Sequence, residues 1–114
     1  MTDTATIAKH IREGLKAVVD PEIHLNVIDL GLIYDIAVND GGKVTITMTL
    51  TTPGCPMASS LAHAVGRAAA RVPGVRGVHI QLTFNPPWTP DRITPEGRME
   101  LMTRRSQNLS PSPR

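Results

Sequence analysis

The chain has 114 residues, 40% apolar and only 3% aromatic, which is enough for one hydrophobic core and too few rings for a base-stacking platform. Its formal charge of +2 and isoelectric point of about 9.1 come from Arg104, Arg105 and Arg114; with these set aside the remainder is close to neutral, which argues against nucleic acid as a partner. A single cysteine excludes an internal disulfide, and no run approaches the roughly 20 apolar residues that span a bilayer, so a cytoplasmic protein without a membrane partner is expected.

Over residues 4–19, Ile7, Ile11, Leu15 and Val18 recur at spacings of three and four, with Lys9, Arg12, Glu13 and Lys16 between them. This predicts an amphipathic helix, ending before Asp20-Pro21 because proline disfavours α geometry at the residue preceding it. Residues 20–26 read as an ordered loop. Residues 27–39 read as a strand with Leu32, Tyr34, Ile36 and Val38 on one face, closed by the turn residues Asn39-Asp40-Gly41-Gly42. In the next strand Val44, Ile46, Met48 and Leu50 alternate with Thr45, Thr47, Thr49 and Thr51, so one face packs on helices and the threonine face meets water.

After the Pro53-Gly54-Cys55-Pro56 break, Met57, Leu61, Val65, Ala68 and Val72 mark a second helix that stops near Pro73-Gly74. Val78, Ile80, Leu82 and Phe84 then alternate as a third strand, and Pro86-Pro87-Trp88-Thr89-Pro90 is an extended crossing segment. Residues 95–102 read as a short last helix, with Thr94 as N-cap and Pro95 at the first helical position. The order α-β-β-α-β predicts an α+β two-layer sandwich, with an antiparallel hairpin, a third strand returned parallel by the helical crossover, and the helices on one face of a small mixed sheet. Residues 1–103 form the one domain in this reading, and residues 104–114 a disordered tail.

Chemistry centres on Cys55. Pro56 suits the first position of a helix, which makes Cys55 the expected N-cap of the second helix, where free N–H groups and the helix dipole favour thiolate over thiol. The thiolate is the form that binds soft metals or attacks electrophiles. Against this, a free cysteine commonly serves as a small buried apolar side chain, and on spacing alone the two readings stand level. Asp20 and Glu22 flank Pro21 and could ligate a metal or orient Cys55; equally, Asp20 could end the first helix and Glu22 lie in solvent. His24 is a nitrogen donor two residues on, whereas His10, His63 and His79 have no ligand spacing with Cys55 or one another. A monomer therefore lacks the donors for a stable cluster, and any metal Cys55 holds is expected to be transient, with further ligands from a second subunit, a partner or a small thiol. His63, eight residues beyond Cys55 on the same expected helix, is about 12 Å away along it, which disfavours a Cys-His nucleophile.

Three ordered motifs, Val19-Asp20-Pro21-Glu22-Ile23, Asp29-Leu30-Gly31-Leu32-Ile33-Tyr34 and Leu50-Thr51-Thr52-Pro53-Gly54-Cys55-Pro56, together with Pro86-Pro87-Trp88, resemble the PaaD-like family of metal-sulfur cluster biosynthetic proteins, which includes the SufT type of maturation factor. The match covers residues 7–102. The resemblance implies an α+β domain that assists iron-sulfur cluster assembly or delivery to client apoproteins, alongside scaffold proteins and a carrier ATPase. It also implies a functional cluster of Cys55, Asp20, Glu22, Thr51 and Thr52. The Ser, Pro and Arg tail differs from the cysteine-containing extension of the PaaD proteins proper, which points to the SufT-like role.

The expectation is thus a non-enzymatic accessory factor in which Cys55 supplies one soft ligand to a transient cluster or iron ion, Asp20 and Glu22 tune it, and a homodimer could bring two Cys55 side chains together. Two rivals stay open: a thiol-dependent enzyme with Cys55 as nucleophile, and an adaptor that recruits clients through residues 86–88 and the threonine face, with Cys55 structural.

Overall fold

The computed structural model describes residues 3–21, 23–51 and 58–109. Helix α1 (Thr4–Leu15) starts where the Asp3 carboxylate accepts from the Ala5 N–H, and buries Ile7, Ile11 and Leu15 on one stripe. It closes a turn earlier than the periodicity suggests. Ala17 and Val18 donate to carbonyls three residues back, tightening the last turn, and Val19 leaves helical geometry to bridge Asn26. The β-branched Val18 and Val19 favour that extended exit.

Strands β1 (Ile33–Val38) and β2 (Lys43–Met48) form the expected antiparallel hairpin, and helix α2 (Ala58–Ala70) carries the chain over to β3 (Gly77–Leu82), parallel to β2. The strand order is β1-β2-β3. At the hairpin, Asn39 accepts from the Gly41 and Lys43 N–H groups through its side chain, and Gly42 takes a positive φ of 81°, the conformation glycine adopts at no steric cost. Helix α1 packs on α2 and β1, and α2 packs on β3, so both helices cover one face. Val44, Ile46 and Met48 meet Leu61, Val65, Ala69 and the α1 stripe in a single core. The two-layer α+β arrangement of the sequence reading is the fold observed.

Two stretches differ from expectation. The register of β1 shifts between Ile33 and Asp35, a bulge that puts Ile33 rather than Tyr34 opposite Met48 and frees Tyr34 from the core face. Along β2, Thr45 and Thr47 are half-buried while Thr49 is fully buried, although alternation alone assigns all three to water. The Thr49 N–H donates to the Leu32 carbonyl, but its hydroxyl has no hydrogen-bond partner among the described residues.

The apolar run before β1 is not strand. Residues 27–31 form a buried turn in which Leu30, Gly31 and Leu32 donate to the carbonyls of Asn26, Ile28 and Val27, and Leu25, Val27, Leu30 and Leu32 are almost wholly buried. Residues 86–97 strap across this turn. The Trp88 indole N–H donates to the Leu30 carbonyl at 2.6 Å, the Tyr34 hydroxyl donates to the Pro86 carbonyl at 2.8 Å, and the Arg92 guanidinium lies 4.5 Å from the Tyr34 ring centre. Asp29 accepts from Asn26 and from the Thr94 hydroxyl, and the same Thr94 oxygen caps helix α3 (Pro95–Leu109) by accepting from the Gly97 N–H. Thr94 and Pro95 fill the expected positions, while the helix runs on to Leu109, seven residues past the expected end. Within it Leu101 is half-buried against the core, while Met99 and Met102 are exposed.

Gly31 has φ of 76° and its vacant Cβ position points into the Arg92 carbonyl. Gly31→Ala is expected to lose roughly 2–4 kcal/mol of unfolding free energy, from backbone strain and displacement of the strap, read by urea denaturation. Trp88→Phe keeps the ring and removes one donor to a buried carbonyl, for a loss of about 1–2 kcal/mol in the same assay. Thr49→Val replaces an unpartnered buried hydroxyl with an isosteric methyl and is expected to leave stability unchanged or raise it by about 1 kcal/mol.

Candidate functional site

Asp20 opens a closed loop rather than ending α1. The Asp20 N–H donates to the Leu25 carbonyl at 3.0 Å and the Asp20 carbonyl accepts from the His24 N–H at 2.8 Å. The Asp20 carboxylate accepts from the Ile23 N–H at 3.1 Å, the side-chain turn that aspartate makes readily. Closing so tight a loop requires one residue at positive φ, and His24 supplies it at 63°. The strand-like bridge between Val19 and Asn26 then seals the loop at its base. Asp20 is 7% exposed, and a carboxylate taken so far out of water is held by bonds of this kind.

Thr51 is approached from β2. The end of that strand is clamped on both sides: Thr49 donates to the Leu32 carbonyl, and Thr83, just past β3, donates to the Met48 carbonyl. Leu50 is buried and Thr51 half-buried at a bend. Leu32 directly follows the turn that residues 86–97 cover, so the backbone leading toward the cysteine motif is bonded beside that turn.

Of the five residues singled out from the sequence, Asp20 and Thr51 are placed in this way, and Glu22, Thr52 and Cys55 lie outside the described residues. Among the described residues no group of three His, Cys, Asp or Glu side chains could hold a metal ion. His10, His24, His63 and His79 are exposed, on α1, the loop after Asp20, α2 and β3 respectively.

Two residues escaped the sequence reading. Thr49 hides among alternating threonines, and only its place at the strand's end, next to the motif, sets it apart from Thr45 and Thr47. Asp29 was read as a strand residue of a motif; here it joins the Asn26 turn to the cap of α3. An acidic residue within an apolar run, followed by Leu and Gly, was the available signal that the run is not a simple strand.

Among curated proteins, the chain is 49% identical over 87 residues to an Fe-S protein maturation auxiliary factor of Porphyromonas gingivalis, covering 76% of this chain and 83% of that one. It is 37% identical over 95 residues to the Fe-S protein maturation auxiliary factor YitW of Bacillus subtilis, covering 83% and 93%. Among solved structures, a Bacillus anthracis domain described as DUF59, a domain of unknown function, superposes with a TM-score of 0.82 at 31% identity, over 87% of this chain and 94% of that one. Residues 8–82 match the model of the family described as iron-sulfur cluster assembly protein, and with the fold, the motifs and these relatives in agreement, the chain belongs to that family, in its SufT-like branch.

Proposed function

We propose that this protein is a non-enzymatic accessory factor that assists iron-sulfur cluster assembly or the delivery of clusters to client apoproteins, acting through Cys55. The observation that carries the reading is the family match over residues 8–82, which spans both the Asp-Pro-Glu turn and the cysteine motif, in a chain whose only thiol is Cys55. The relatives' names, maturation auxiliary factors rather than enzymes, support an assisting role. Its partners on this reading are iron-sulfur scaffold or carrier proteins and the clients they load.

Cys55 stands three residues before the start of α2 at Ala58, a sequence position that favours the thiolate if the helix's free N–H groups face it. One thiolate is one soft ligand, and a cluster needs several. The chain therefore handles its cargo in passing, with the remaining ligands drawn from a partner, a second copy or a small thiol. Asp20 and Glu22 serve in this reading as the acidic side of the same cluster, and Thr51 and Thr52 hold the turn.

The adaptor alternative loses ground on one observation. The Trp88 indole, its chief candidate contact, is spent on the Leu30 carbonyl inside the fold, which gives residues 86–88 a structural use.

Anaerobic cluster reconstitution of the wild type and Cys55→Ser, followed by absorption spectroscopy, tests the proposal. A labile chromophore in the wild type that is lost in Cys55→Ser is the expected result, together with failure of Cys55→Ser to restore client enzyme activity in cells lacking the native factor. Full restoration by Cys55→Ser would overturn it. Asp20→Asn keeps an oxygen acceptor for the Ile23 N–H and removes the charge, whereas Asp20→Ala removes both. The expected stability losses are under about 1 kcal/mol for Asn and about 1–2 kcal/mol for Ala, with client activity falling in both; activity retained in Asp20→Asn would confine Asp20 to holding its turn.

A further inference from the structure

The two edges of the sheet are protected unequally. On β1 the bulge between Ile33 and Asp35, the exposed Asp35 carboxylate and the Tyr34 tie to the strap interrupt the edge. These are the devices by which soluble proteins keep sheet edges from pairing. On β3 none of them is present: residues 77–82 contain no proline and no formally charged side chain, the register with β2 is unbroken from Gly77 to Leu82, and among the described residues β3 has a strand neighbour on one side only. Beside this bare edge, Leu82 is 41% and Phe84 43% exposed. A shallow groove between α2 and β3 is floored by Val78, Ile80 and Leu82 and walled by the small residues Ala62, Gly66 and Ala70 together with His63 and Arg67.

We propose that this edge is a homodimer interface in which β3 pairs antiparallel with the β3 of a second copy, across a two-fold axis through Ile80, to make one continuous sheet. A strand meets itself in this way only if its sequence is complementary to its own reverse, and this one is. With the axis at Ile80, Val78 lies opposite Leu82 on the helix side, His79 lies opposite Gln81 on the threonine side, and Arg76 lies opposite Phe84. The one formal charge between residues 76 and 84 therefore faces an aromatic ring and never its own copy. An axis through His79 would set two imidazoles against each other and leave Phe84 without a counterpart. A charge-free edge with apolar residues on the helix side satisfies both requirements of an isologous contact, self-matching side chains and unpaired backbone groups at the same register. The small residues of α2 allow the helices of the two copies to approach over the joined strands. This inference does not rest on the function proposed above.

Sedimentation of the full chain at about 100 µM, a concentration that populates even a weak dimer, is expected to give twice the monomer mass. Leu82→Lys adds a charge opposite Val78 at a position that the monomer leaves substantially exposed. It is expected to weaken the dimer by about tenfold or more, while the circular dichroism spectrum, and the melting midpoint at a dilution where both proteins are monomers, stay as in the wild type. Hydrogen exchange provides a readout that needs no variant: the amides of residues 77–84 should slow as wild-type protein is concentrated. A monomer at about 100 µM, a dimer that Leu82→Lys leaves intact, or slowed exchange confined to other residues would each overturn the proposal. Slowing at residues 77–84 only on addition of an extended client peptide would also overturn it, since the edge would then serve a different strand.

Discussion

The structure depends on how the buried turn before β1 satisfies its backbone. A run such as Val27 to Leu32 is apolar enough to be drawn into the core, yet it is too short and too irregular to satisfy its own N–H and C=O groups as a strand or helix does. Part of the need is met locally, by the bonds back to Asn26, Val27 and Ile28. The rest is met from the far end of the chain, by the Trp88 indole on the Leu30 carbonyl and by Thr94 on Asp29. Without the strap, a buried carbonyl and a half-buried carboxylate would each lose a partner, at a cost of about 1–3 kcal/mol for such a group.

This arrangement links elements that look independent in the sequence. The glycine of Asp-Leu-Gly makes room for the strap, Asp29 supports the N-cap of α3, and Leu32 receives the Thr49 N–H at the entry to the cysteine motif. The motifs around Asp29 and around Trp88 are thus joined by a direct hydrogen bond, which gives both a structural reason for their composition, and Thr49, beside the cysteine motif, is bonded to the first of them. The closed turn at Asp20 is a third, smaller example, built on one carboxylate and one left-handed histidine.

Periodicity made most of the fold legible. The α1 and α2 stripes, the β2 alternation and the Asn39 to Gly42 turn each follow from a single local rule, and the hairpin and parallel crossover follow from their order. What was not legible depends on distant parts of the chain. An apolar run reads alike as a strand or as a buried turn, and residues 27–31 are a turn because residues 86–97 cover them. The Tyr34 bulge likewise has no local signature: alternation is intact in the sequence, and the ring leaves the core face to meet Arg92 and Pro86. Of the candidate site, the sequence offered the motifs, while the burial of Asp20 and of the Thr49 hydroxyl came from packing.

The strap also sets an order of events during synthesis. Its bonds join residues 58 and 65 positions apart, Leu30 to Trp88 and Asp29 to Thr94, whereas the β1–β2 hairpin needs only its own turn. As the chain leaves the ribosome, the hairpin and α1 have all their local partners early, but the turn before β1 stays uncapped until residues 88–94 emerge. A nascent chain halted short of Trp88 therefore presents an apolar, half-satisfied loop to chaperones and proteases, and completion of the last quarter of the chain is what withdraws it.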